Sequence, residues 1–373
     1  MVTGYSEQKG AYIMKLKTPA LLLLVIFFAG MLLGGAVKSE EDIPSLYQAY
    51  QEYFPIGAGV EYWDLLNYGE FIVKHFNSIT AGNEMKFASI QPGEGVFSFF
   101  RADEMANFAR KHKMLMRGHT LVWHQQYPSW LFVDGAQPAS KELVLKRLAD
   151  HINVVVPRYK DVVYCWDVVN EAVSDNMSEF LRQDSPWYKA TGEDYIAEAF
   201  RLAHQADPDA KLFYNDYGTT ETNKREKIYV LLEDLLAEGV PVHGIGMQAH
   251  WDITSPSVSQ LEAAIRRYAS LGLEVQITEL DISLYGWSDK RRFINDPEEL
   301  KERLEMQAEQ YRDIFAVFRE YRDVITGVTV WGLSDARTWK DNHPVRGRKD
   351  LPLMFDLDYR PKAAFWEVVN FEK

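Results

Sequence analysis

What most constrains this chain is an alternation. From Pro55 onward, short apolar runs are separated by longer amphipathic ones, and the pattern repeats eight times. The runs predicted as strands are Pro55–Val60, Asn77–Thr80, Met114–Trp123, Val162–Asn170, Ala210–Asp216, Gly244–His250, Glu274–Ile282 and Thr326–Leu333. Helical spacing predicts helices over Leu143–Tyr159, Tyr195–Ala206, Lys224–Glu238, Ser259–Leu271 and Pro297–Tyr321. In the fourth of these, Leu261, Ile265 and Tyr268 share one stripe, and Gly239 and Gly272 stand where two helices should stop. Strands separated by helices argue a parallel sheet. Eight of them can close a ring, and no glycine-rich dinucleotide fingerprint supports an open doubly wound sheet. The expected fold class is therefore α/β, a (β/α)8 barrel of the TIM type, as one domain over residues 45–373. With 47% apolar residues, the chain can bury a core of that size.

The segment before the barrel reads differently. Ala20 to Val37 carry no charge, Lys15 and Lys17 precede them, and Gly34-Gly35-Ala36 lead into Glu40-Glu41-Asp42. This layout predicts an export signal over residues 1–36, with Met14 as an alternative start. The run is also just long enough to cross a bilayer, so a retained anchor over residues 20–37 is the alternative. Either reading places the remainder outside the cytoplasm, secreted or at the cell surface, and only the anchored form would meet a membrane.

Fifty-four acids against 41 bases give a net charge of −13. That surface should repel nucleic acid and anionic lipid, and it disfavours a polyanionic substrate. Ten Trp and twenty Tyr supply flat faces, which suit sugar rings as well as a core. Cys165 is the only cysteine, so the fold does without disulfides, and its apolar strand predicts a buried, inert thiol.

In such barrels chemistry gathers where strands end. Polar and aromatic residues do cluster at the C-terminal ends of seven predicted strands: Asn83-Glu84-Met85-Lys86, His119 to His124, Asn170-Glu171, Asn215-Asp216-Tyr217, Gln248 to Trp251, Glu279-Leu280-Asp281 and Trp331 to Asp335. Strand alternation puts Asp167, Val169 and Glu171 on one face, and likewise Ile277, Glu279 and Asp281, Gln248 and His250, and His119 and Trp123. Two glutamates at the ends of separate strands suggest a pair of acids facing one cleft. His119, His124 and His250 raise the alternative of a metal site, but His119 and His124 lie five apart on a strand and should face oppositely, so no metal is expected. Trp130, Trp187 and Trp366 read as packing, and the basic runs Lys290–Arg292 and Arg346–Lys349 as solvated loops.

The runs Gly118-His-Thr-Leu-Val-Trp-His124, Trp166-Asp-Val-Val-Asn-Glu-Ala172, Gly246-Met-Gln-Ala-His250 and Ile277-Thr-Glu-Leu-Asp281 resemble those of the family 10 glycoside hydrolases, the endo-β-1,4-xylanases. Trp331-Gly332 and Pro352-Leu-Met-Phe-Asp356 fit the same family, and the resemblance runs over roughly residues 45–370 in consistent order. It implies hydrolysis of xylan or xylo-oligosaccharides with retention of configuration, no cofactor, and a monomer. It assigns Glu171 as acid/base and Glu279 as nucleophile, with His250 and Asp281 supporting the nucleophile. Asn170 would bond the sugar 2-hydroxyl. Asn83, Lys86, His119, Trp123, Gln126, Gln248, His250, Trp331 and Trp339 would line the glycone side of the cleft, Trp331 and Trp339 as apolar faces. One position departs from the family. Where a Glu usually precedes the Asn of the second loop, this chain has Gly82, which implies weaker binding one sugar from the cleaved bond, a changed preference, or rescue by Glu84. A β-glucanase of the same barrel group, or a non-catalytic sugar-binding scaffold, are the rival readings.

Overall fold

The computed structural model describes residues 43–372; the stretch 1–36 predicted as an export signal lies outside them. Eight strands form the barrel: β1 Ile56–Val60, β2 Ser78–Ala81, β3 Leu115–Trp123, β4 Val163–Asn170, β5 Lys211–Asp216, β6 Gly244–Met247, β7 Glu274–Ser283 and β8 Ile325–Val330. They pair in parallel in chain order, and β8 pairs back onto β1 with Val328 opposite Ile56, which closes the ring. Each strand is followed by a helix: α1 Tyr62–His75, α2 Phe100–His112, α3 Lys141–Tyr159, α4 Asp194–Ala206, α5 Thr222–Ala237, α6 Val258–Ala269, α7 Pro297–Glu320 and α8 Ala363–Val369.

The helices form for the reasons their sequences give. In α6, Leu261, Ile265 and Tyr268 are fully buried, and Ser257 caps the start with Gln260 in a reciprocal capping box. Replacing Ile265 with Ala should cost about 2–5 kcal/mol of stability. Gly239 and Gly272 take φ of +69° and +76° just past the ends of α5 and α6, the left-handed turn that stops a helix. The sequence analysis did not single out α2, whose buried stripe is Ala102, Met105, Ala106 and Ala109. Small alanines against the barrel leave little apolar signal.

A polar cluster is buried between β3, β4 and β7. Arg117 of β3 is buried and forks onto Asp167 of β4, with Nε 3.1 Å from Oδ2 and Nη2 2.5 Å from Oδ1. It also reaches Gln276 of β7 at 2.5 Å and lies over the Phe213 ring. Burial pushes the Cys165 thiol beside it up to about 11, so that sulfur is inert, as its strand implied.

Strict alternation along the strands does not survive near the mouth. Register shifts fall between His119 and Val122 on β3, between Asp167 and Val169 on β4, and between Ile277 and Leu280 on β7. Bulges of this kind re-aim side chains at barrel rims. They explain two differences from expectation. His119 and His124 both line the cleft, although unbroken alternation would set them on opposite faces. Glu171 reaches the cleft through a left-handed residue at φ +59°, not by sharing a face with Asp167. The predicted strand Gly244–His250 stops at Met247, because Ala249 takes φ +61°, and pairing resumes at His250–Asp252 alongside Asp281–Ser283 of β7.

Candidate active site

The C-terminal mouth of the barrel opens into a cleft of about 960 Å³. Glu171 leaves the end of β4, and Glu279 lies near the end of β7, on the opposite side of the ring. Both side chains line the cleft, and both residues are buried, at 8% and 5% exposure. A chain of amides joins them. Asn215 Nδ2 of β5 donates to Glu279 Oε1 at 2.8 Å and to Asn170 Oδ1 at 2.8 Å. Gln248 Nε2 donates to Asn170 Oδ1 at 3.1 Å and to Glu171 Oε1 at 2.8 Å. The Asn170 amide lies between those two NH2 groups on one side and the Trp123 indole N–H, 3.2 Å away, on the other. Thr278 Oγ1 donates to Asn215 Oδ1 at 2.6 Å and holds that amide in turn.

The surroundings of the two carboxyls differ. Glu279 Oε2 meets His250 Nε2 at 3.2 Å, and the other ring nitrogen of His250 meets Asp281 Oδ2 at 3.0 Å. Burial alone would strip the proton from His250, but Asp281 and Glu279 pull its pKa up to about 9, so the imidazole is charged at neutral pH. Burial also works against an ionised Glu279. The hydrogen bond from His250, helped by the fields of His119 and His250, outweighs it and holds the carboxyl below the usual carboxylate range. Asp281 is held low in the same way, against burial, by Lys340 at 3.4 Å, by His250 and by the Trp339 indole N–H at 2.7 Å.

Glu171 has neutral donors. The Trp123 indole N–H donates to Oε2 at 2.7 Å and Gln248 to Oε1. His124 Nδ1 stands 3.7 Å from Oε2, too far for a hydrogen bond, and burial pushes its pKa down to about 4. The Trp123 carbonyl in turn accepts from the buried Trp187 indole at 3.0 Å, so Trp187 packs where the sequence analysis put it and also braces the acid side.

The sequence-predicted residues therefore divide by task. Glu171, Glu279, Asn170, Gln248, His250 and Asp281 come together in one network. His119 is anchored by Asp167 Oδ2 at 2.9 Å, and its ring meets Trp331 edge-on with centroids 5.5 Å apart. Trp331 lies close over the β1 backbone because Gly59 has no side chain; a Cβ there would fall 2.5 Å from the indole. Lys86, buried, donates to Asn83 Oδ1 at 3.1 Å and sits 4.8 Å above the Trp123 ring. Burial lowers its pKa against the pull of Glu279 and Glu171. Trp123 and Trp339 do more than offer apolar faces, since their N–H groups hold Glu171 and Asp281. Gln126 is exposed and donates to Asn83 Oδ1 at 3.1 Å. Arg348, expected in a solvated run, is buried, stacks on Tyr285 and donates to the backbone oxygens of Asp289 and Arg291.

Sequence reasoning missed Asn215, Asp167, Thr278, Glu61 and Arg337. Asn215 stood at a strand end already singled out. Glu61 follows the end of β1, the one strand end left unread. Asp167 carried only a shared strand face with Glu171, and Thr278 no signal of its own.

The whole arrangement has close counterparts. The model of glycosyl hydrolase family 10 matches residues 45–371. An endo-1,4-β-xylanase B from Paenibacillus barcinonensis is 50% identical over 88% of this chain and 98% of its own. An endo-1,4-β-xylanase A from Caldicellulosiruptor saccharolyticus is 52% identical over 88% of this chain and 96% of its own. The crystal structure of the xylanase XynB from Paenibacillus barcinonensis, complexed with a conduramine derivative, superposes with a TM-score of 0.85 over 88% of this chain and 98% of that one, at 50% identity. By fold, by the span matched and by the identity of these relatives, the chain belongs to glycosyl hydrolase family 10.

Proposed function

We infer that this protein is an endo-1,4-β-xylanase that hydrolyses xylan by double displacement with retention, Glu279 attacking the anomeric carbon and Glu171 acting first as acid and then as base. The family and the names of its relatives support the substrate. The observation that carries the roles is His250, an imidazole held charged between two carboxylates, one of them Glu279. A nucleophile must be ionised in the free enzyme, and a buried cation at 3.2 Å keeps it so. Glu171 is hydrogen-bonded by an indole and an amide rather than by a cation, and in this reading it carries the proton that the leaving alcohol needs. Asn170, held in this network beside Glu171, bonds the 2-hydroxyl, and that bond strengthens as charge develops on the ring. Trp331, pressed onto β1, narrows the space over the ring, which favours xylose over the bulkier glucose.

The test is the product mixture from soluble xylan, read by NMR within the first minutes. The β-anomer appearing first, with oligomers of mixed length, supports the reading; the α-anomer first would overturn retention, and greater turnover on cellulose would overturn the substrate. Export remains our proposal for residues 1–36, and N-terminal sequencing of material from the culture medium tests it.

A further inference from the structure

Gly82 leaves a hollow in the cleft wall. The nearest atoms a Cβ there would meet are the Val60 carbonyl oxygen at 3.5 Å, Glu61 Cγ at 3.8 Å and the Val60 carbonyl carbon at 3.9 Å, all ordinary contact distances. Crowding therefore does not demand a glycine, and the wall at this point lacks a side chain it could hold. The sequence offered Glu84 as a substitute, but Glu84 is buried and turned away. Its Oε1 accepts from the Tyr62 backbone N–H at 2.7 Å and its Oε2 from that of Asn83 at 3.3 Å.

Glu61 borders the hollow instead. It follows the last residue of β1 and lines the cleft together with Asp64, Gly82, Asn83 and Arg337. Its Oε1 accepts from Asn83 Nδ2 at 3.0 Å, and its Oε2 from the Arg337 guanidinium, which also reaches Asp64 Oδ1 at 3.2 Å. A third of the side chain stays exposed, at 33%. A carboxylate has about four acceptor positions, so the donors that fix it in place still leave room for a ligand's hydroxyl. Its place along the cleft follows from its neighbours. Lys86 feels both Glu279 and Glu171 and bonds Asn83, and Asn83 bonds Glu61. Glu61 is thus one step further from the reacting carbon than the groups that meet the cleaved sugar.

We propose that Glu61, clamped by Arg337 and Asn83, accepts hydroxyl hydrogen bonds from the xylosyl unit next to the cleaved one on the glycone side, supplying from the β1–α1 loop the carboxylate that position 82 lacks. The proposal rests on the glycosidase reading of the cleft. A sugar hydroxyl donating to an ionised, pre-positioned carboxylate makes a charge-assisted bond. The role is one of binding and specificity, and it should be felt only by substrates long enough to reach it.

Two chromogenic substrates with one leaving group separate the cases: an aryl xylobioside, which fills both glycone positions, and an aryl xyloside, which fills one. Glu61→Ala should lower the ratio of their kcat/KM values, biose over monose, by about tenfold to a hundredfold, the range of a hydrogen bond to a charged group. Adding Gly82→Glu to that variant should recover much of the ratio. Glu61→Gln keeps the shape if the alanine variant melts early, and should lower the ratio in the same direction by less. An unchanged ratio in both single variants overturns the proposal, and so does an equal loss on both substrates, which is the mark of a structural role. If the unaltered enzyme cleaves neither substrate, the glycosidase reading itself falls, and with it this inference; that result is distinct from an active enzyme whose ratio does not move.

Discussion

The two sides of the cleft hold the same side chain in different company. Glu279 sits against a charged imidazole that is itself pinned by Asp281, which Trp339 and Lys340 hold in turn. Glu171 sits against an indole and an amide, with a neutral His124 nearby. A cation stabilises only the ionised form of a carboxyl, whereas neutral donors oppose protonation less. Two identical carboxyls with merged surroundings would share one proton between them and neither would have a fixed task. The difference between the two sides, three or four residues deep, is what separates an attacking group from a proton donor.

The largest test of that contrast removes each carboxyl in turn. Glu279→Ala should lower kcat/KM by at least about 10⁴-fold on xylan and on aryl xylosides alike, because both need the attacking group. Glu171→Gln should lower it by about 10²–10⁴-fold on xylan but far less on aryl glycosides with good leaving groups, which need little protonation. Matching losses on both substrates from Glu171→Gln would erase the distinction between the two sides.

A smaller effect follows from taking away the cation and keeping the carboxyl. His250→Asn should cost about a hundredfold in kcat. It should also move the acid limb of the pH–rate profile to higher pH, since the group holding Glu279 below its usual range is gone. The same variant should change how stability depends on pH. The folded-state pKa of His250 is raised from 6.5 to about 9. Its proton therefore stabilises the fold fully below about pH 6.5, and that contribution is lost as pH climbs through about 9. Urea midpoints should fall across this window more steeply for the native chain than for His250→Asn, and parallel curves would count against a charged His250.

Much of this was legible in the sequence, and the gaps have physical causes. The barrel could be read because eight strands carry apolar runs dense enough to stand out, and because six site residues sit at strand ends where barrels put chemistry. The partners of those residues were harder. Strand alternation failed as a guide near the mouth, since one extra residue on each of β3, β4 and β7 reverses which face a side chain takes. Asn215 was in view, yet nothing in its own segment said that it would bridge Asn170 and Glu279, because that contact joins strands 45 and 64 residues away. Arg337 was invisible for the same reason: its carboxylate partners lie at the other end of the chain, and meet it only when β8 closes onto β1.

The smallest effect concerns Trp123, expected to line the sugar cleft and found gripping Glu171 by its indole N–H at 2.7 Å. The two roles predict different losses. Phe at this position keeps an aromatic face for a sugar and for the Lys86 ammonium above it, but removes the only donor to Glu171 Oε2 within hydrogen-bond reach among the described residues. If the N–H matters, Trp123→Phe should lower kcat on xylan by about tenfold, the worth of one such bond, and leave KM little changed. The loss should shrink on aryl glycosides with good leaving groups, because those bypass the acid that Trp123 positions. A variant with intact kcat and a raised KM would return Trp123 to the role of a binding surface, and the acid side of the cleft would then rest on Gln248 alone.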